Sequence, residues 1–230
     1  MAAKNSVKIY VEGGFYHVYN RGVEKRNIFM DEQDYNVFLS YLATYLSPKD
    51  EHFLQNILTS TESSAKEKVN ANKLLRLKNY FGSIHLICYA LLPNHFHLLI
   101  KEEGIDLHSF MNSIGTRYSM YFNRKYHRHG VLFQDVYKAV LIQSDEQLLV
   151  LSRYIHLNPT RWMNLPVQQW FQSTLPNSLP EYLGKRKTSW IKTLYILDYF
   201  SKTQPTISYE SFIGLNVDEE LIGTVILEED

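Results

Sequence analysis

Residues 84–101, IHLICYALLPNHFHLLIK, decide how the rest of the chain is read. Two apolar runs, 84–91 and 95–101, meet at Leu92-Pro93-Asn94, a turn signal between segments rich in Leu and Ile. They predict two strands lying centrally in a sheet. In the second, His95 and His97 stand two residues apart. Strand side chains alternate between faces, so both imidazoles project to one side while Phe96 anchors the other side in the core. Two imidazoles so placed can share one metal ion. Nine histidines make such a triplet plausible by chance, so the spacing alone leaves a purely structural role equally open.

Upstream, FYHVYN (15–20) has strand composition and is followed by a turn at Arg21-Gly22. Residues 31–46 predict a helix, with Tyr35, Phe38, Leu39, Leu42 and Leu46 on its apolar face and acids in its first turn. Residues 47–73 read as a polar insertion with one or two weak helices, the place in the first half where disorder is expected. Downstream, 106–126 predict a long helix and 134–142 another strand. A helix then starts at Ser144 with capping-box spacing to Gln147, and Pro159 is expected to close it. Residues 163–204 read as an irregular wrap with one helix over about 189–201. Strand, helix, two strands, helix, strand, helix is an α+β order: an antiparallel sheet of four to five strands flanked by helices.

A chain of 230 residues, 45% hydrophobic and 21% charged, can bury an ordinary core, which excludes a disordered chain. The division expected is 1–162 for the main domain and 163–230 for a C-terminal wrap, helix and acidic tail. The single cysteine, Cys88, excludes a disulfide scaffold and points to a reducing, cytoplasmic setting. No apolar run approaches the ~20 residues of a membrane helix, and no secretory leader is visible at the N-terminus. Net charge is zero, yet it is uneven. Residues 115–162 carry seven basic and three acidic groups, whereas the last 26 carry seven acids and no Lys or Arg. A mildly basic body with an acidic end fits a polyanionic partner, and equally an uneven solvated surface. The tail is expected to be a solubilising segment; competition with that polyanion for the basic surface is the alternative.

On the helix from Ser144, Tyr154 and Asn158 lie one turn apart on one face. A tyrosine oxygen can act as a nucleophile, and an amide oxygen is a hard ligand beside two imidazoles. That mixed donor set suits Mg²⁺ or Mn²⁺. Taken alone, any one of 17 tyrosines is more simply a core residue.

Taken together, CYALLPNHFHLLI (88–100) and RYIHLNPTRW (153–162), with YHVYNRG (16–22) and YFNRKYHRHGVLFQ (121–134), resemble the HUH single-tyrosine transposases, specifically the REP-associated tyrosine transposases. The resemblance covers roughly residues 10–200. It implies an HUH endonuclease fold with a ferredoxin-like or RRM-like core, His95, His97 and Asn158 as metal ligands, and Tyr154 as nucleophile. It also implies metal-dependent cleavage and strand transfer on single-stranded hairpin DNA through a 5′-phosphotyrosine, by a monomer or homodimer associated with the nucleoid. Because metal binding needs neutral histidines, activity is expected to fall below about pH 6.

Arg21, Lys25, Arg117, Arg124, Lys125 and Arg153 are the expected DNA contacts, with Tyr118, Tyr121 and Phe122 assigned to the core. His17 is expected in the core or behind the metal ligands, His156 away from the chemistry, and His127 and His129 at solvent or phosphate. Two further readings stand beside the first. One is a domesticated hairpin-DNA binder with vestigial catalysis. The other is a metal hydrolase drawing on Glu102 and Glu103, which lie past the strand.

Overall fold

The computed structural model describes residues 10–215 and Gly223. Four antiparallel strands, β1 (Phe15–Arg21), β2 (Ile84–Leu92), β3 (His95–Glu102) and β4 (Lys138–Leu141), form one sheet in the order β2-β3-β1-β4. The α+β class holds, with β1 and β3 central; β2, expected to lie centrally beside β3, is instead an edge strand whose apolar residues are covered by the C-terminal segment. β4 is shorter than the 134–142 expected. Gln134 instead belongs to a loop, where its backbone N–H donates to the Arg21 carbonyl.

The two faces of the sheet carry separate cores. Tyr16, Val18, Phe96, Leu98 and Ile100 face α1 (Glu32–Leu46) and α4 (Leu107–Lys125), meeting Phe38, Leu42, Phe110, Ile114, Tyr118 and Phe122. Leu99, Ala90 and Leu92 face α5 (Asp145–Trp162), meeting Leu148, Leu151, Tyr154 and Ile155. Alternation along β3 therefore turns His95 and His97 toward α5 while Phe96 is buried under α1 and α4. The assignment of Tyr118 and Phe122 to the core is correct.

The insertion is ordered. It forms α2 (Glu51–Thr59) and α3 (Ala65–Arg76), capped by Asp50 and by a complete capping box between Ser64 and Glu67. Few of its side chains are buried, which is why its sequence reads as loop-like. In the C-terminal part, the helix expected over 189–201 is a single turn, α7 (Leu194–Leu197). Trp190 and Ile191 instead join the core beyond β2, and the Lys192 backbone N–H donates to the Leu86 carbonyl.

The rest of the wrap follows the same edge. Leu91 N–H donates to the Pro176 carbonyl and Ser178 N–H to that of Tyr89, so this segment covers an otherwise open strand. The chain then forms α6 (Leu179–Tyr182) and, after α7, α8 (Tyr209–Gly214), which packs behind α5. Residues 205–215 of the acidic end are thus folded. Most of the remainder lies outside the described residues, and so does any contact between it and the basic surface. No helix among the described residues is long and apolar enough to cross a membrane.

Candidate active site

The hairpin turn that presents His95 is fastened from β1. After Arg21 the chain doubles back at Gly22, where a Cβ would lie 2.2 Å from the Arg26 carbonyl oxygen, so no other residue fits. Gly22 N–H then donates to the Asn94 carbonyl, and Ile28 and Phe29 N–H both donate to that of Pro93. Register follows: Arg21 pairs with His95, Tyr19 with His97 and His17 with Leu99. These odd-numbered positions of β1 thus share the α5 face with the histidine pair.

α5 supplies the second half. Ser144 Oγ accepts from Gln147 N–H at 3.1 Å and starts it, as its sequence indicates. It does not end at Pro159. Proline removes one backbone donor near the helix end, where few hydrogen bonds remain to be lost, and the last turn runs on to Trp162. Every residue from Val150 to Thr160 is buried. That extra turn matters: the Arg161 guanidinium sits over the Tyr154 ring at 5.1 Å, and the Trp162 ring lies 5.8 Å from His95.

The two halves meet. Tyr154 is 3% exposed, and its ring stands edge-on to His97 with centroids 5.8 Å apart. The His95 and His97 rings are 4.9 Å apart. Burial, with the nearby Arg21 charge, lowers the His95 pKa to about 4. Burial first, then His95 and His17, pushes that of His97 well below the ordinary imidazole value. Both rings are neutral near pH 7, the form in which imidazole binds metal.

Two buried polar atoms here have no hydrogen-bond partner: His97 Nε2 and Asn158 Nδ2. Unpaired polar atoms are rare in protein interiors, and a cation ligated at His97 Nε2 would account for the first. Asn158 stands one helical turn beyond Tyr154 on α5, and with its amide turned over the unpaired atom would be an oxygen. The donor set therefore fits a divalent ion. Glu102 and Glu103 are committed elsewhere. Glu102 Oε1 accepts from the Asp106 and Leu107 N–H groups at the start of α4, and Glu103 pairs with Lys101 at 2.5 Å.

The expected DNA contacts divide. Arg21, whose Nε donates to Gln134 Oε1 at 2.5 Å, and the exposed Lys25 lie beside the hairpin turn and His95. Arg124 is exposed near the end of α4, on the other side of the sheet. Three others are engaged within the fold. Arg117 stacks on Tyr41 at 3.9 Å. Lys125 pairs with Asp31 and Asp34 at 2.7 and 2.8 Å. Arg153, 2% exposed, donates to the Phe212 and Leu215 carbonyls and holds α8, so its expected place on a DNA surface is corrected. His127 and His129 are exposed. His156 is buried away from the site, bonded to Tyr209 Oη and Ser178 Oγ.

Arg161 and Trp162 escape a sequence reading that ends the helix at Pro159; their spacing from Tyr154 becomes meaningful only if the helix continues.

Residues 63–158, which include the histidine pair, Tyr154 and Asn158, match the family model described as Transposase IS200 like. No curated protein matches the chain. Among solved structures, a REP-associated tyrosine transposase bound to a REP hairpin is 13% identical, with 82% of this chain and 96% of that chain covered and a TM-score of 0.44. The matched region takes in residues 88–100 and the first part, 153–158, of the tyrosine segment.

Proposed function

We propose that this chain is a transposase-type enzyme that cleaves and rejoins single-stranded DNA at hairpins, with Tyr154 as the nucleophile. One observation carries the reading: a tyrosine from α5 is held edge-on against an imidazole pair whose buried Nε2 lacks a partner. A tyrosine packed only for the core needs no such neighbour.

His95, His97 and Asn158 would hold a Mg²⁺ or Mn²⁺ ion. When bound, such an ion polarises a phosphate oxygen and draws charge from phosphorus. The chain's own groups do the rest. The Tyr154 oxygen forms a bond to phosphorus as the bond to the 3′ oxygen breaks; the phenol gives up its proton and the departing 3′ oxygen takes one. The product is a 5′-phosphotyrosine and a free 3′-hydroxyl, and attack by another 3′-hydroxyl reverses the step without ATP. Arg161, over the Tyr154 ring, supplies positive charge where an anionic phosphate must come. Arg21 and Lys25 extend that charge toward the hairpin turn. Trp162, 42% exposed at the site's edge, offers a ring face to an unpaired base.

The experiment is to incubate the protein with Mn²⁺ and a hairpin oligonucleotide labelled at its 3′ end, then separate products under denaturing conditions. A protease-sensitive, slow-migrating labelled species is expected from the wild type and not from Tyr154→Phe. Tight binding with no such species from the wild type would leave only a hairpin-binding role.

A further inference from the structure

His17 is fully buried on β1, with its Nε2 2.9 Å from His97 Nδ1. The two rings lie nearly parallel, 16° apart, at a centroid distance of 5.1 Å. One proton lies between these nitrogens, and it has two possible owners. If His17 Nε2 owns it, His97 Nδ1 accepts, and neutral His97 must carry its own proton on Nε2. That would place a buried donor at an atom with no acceptor and turn a proton toward any incoming cation. If His97 Nδ1 owns the proton, His17 Nε2 accepts, and His97 Nε2 keeps a lone pair. The lone pair is unsatisfied only until a cation arrives.

His95 shows the same arrangement with the ambiguity removed. Its Nδ1 lies 2.5 Å from Asn94 Oδ1. The Asn94 amide is oriented by its other end, because Asn94 Nδ2 donates to the Lys25 carbonyl at 3.2 Å. An amide oxygen only accepts, so His95 carries its proton on Nδ1 and leaves Nε2 as the ligand atom. Two imidazoles that are to grip one ion need matching tautomers, and a hydrogen bond from the far ring nitrogen is how a ligating histidine is held in one.

We propose that His17 is a positioning residue: it accepts the Nδ1 proton of His97 and thereby holds His97 in the tautomer whose Nε2 can ligate a divalent cation. His17 does for His97 what Asn94 does for His95. It cannot be a ligand through Nε2 while that atom is bonded to His97. The ligand's identity rests on the function proposed above; the tautomer does not.

Long-range ¹H–¹⁵N spectra of the metal-free, ¹⁵N-labelled protein at about pH 7.5 report the tautomer of each neutral ring, with the His97 signals identified by their loss in His97→Gln. His97 is expected in the Nδ1–H form. Binding of Mn²⁺ alone, followed by electron paramagnetic resonance, should weaken about 10–100-fold in His17→Leu and change only a few-fold in His17→Gln, whose amide oxygen can still accept. His97 found in the Nε2–H form, or His17→Leu binding Mn²⁺ as tightly as wild type, would overturn the proposal. Should His17→Leu fail to fold, the wild-type spectrum decides. A wild type that binds no Mn²⁺ counts against the ion in the proposed function, while the same spectrum still rules on His17.

Discussion

The ring of Tyr154 meets that of His97 edge-on at 5.8 Å, within one chain. A helix and a strand from opposite halves of the sequence thus meet at one site. What surrounds that contact determines which substitutions should disturb chemistry and which should disturb only the fold.

Arg153 and Arg21 should separate on a salt titration. Arg153 holds the Phe212 and Leu215 carbonyls, whereas Arg21 stands beside His95 at the hairpin turn. Arg21→Met should lower the slope of log affinity against log salt by about 1. Arg153→Met should leave that slope alone and speed proteolysis within residues 205–215. The opposite pattern would return Arg153 to the DNA surface.

Asp34 should be a stability residue. Its buried carboxylate accepts from Met30 N–H, Lys125 Nζ and the hydroxyls of Tyr121 and Tyr126, all at 2.8 Å, tying α1 to α4. Asp34→Ala should cost about 3 kcal/mol by denaturant unfolding, while the folded fraction keeps its DNA affinity. A loss below about 1 kcal/mol would show that the network is ornamental.

Acid should unfold the protein earlier than carboxylates alone would require. Burial lowers His156 to about 3 and His95 to about 4, and it depresses His97 strongly. The unfolded chain takes up these protons near pH 6.5 while the folded chain refuses them. Stability is therefore full above about pH 6.5 and is lost as pH falls toward 4, by up to about 1.4 kcal/mol per pH unit for each histidine. Tm should drop steadily from pH 7 to 5, and less steeply in His156→Gln; a flat Tm over that range would contradict it. The decline in activity expected below pH 6 then follows from unfolding, because burial keeps His95 neutral to about pH 4 and depresses His97 strongly as well.

Much of this site is legible in residues 84–101 and 153–158, because alternation along a strand and the four-residue step along a helix are local rules. They set His95 and His97 on one face and Tyr154 with Asn158 on another. Which face of the sheet α5 covers is a tertiary fact, and it decides the rest. It puts Lys125 and Arg117 under α1, turns Arg153 back to α8, and brings His17 against His97 across the β1–β3 pair. Pro159 misleads for a local reason: a proline one turn from a helix end costs little, and the turn beyond it carries Arg161 and Trp162.

The most direct measurement is peptide mapping of the covalent product by mass spectrometry. After reaction with a hairpin oligonucleotide, nuclease trimming and trypsin digestion, the nucleotide should be found on the peptide YIHLNPTR (154–161), at Tyr154. A nucleotide attached to another tyrosine, or an adduct that persists in Tyr154→Phe, would contradict the account.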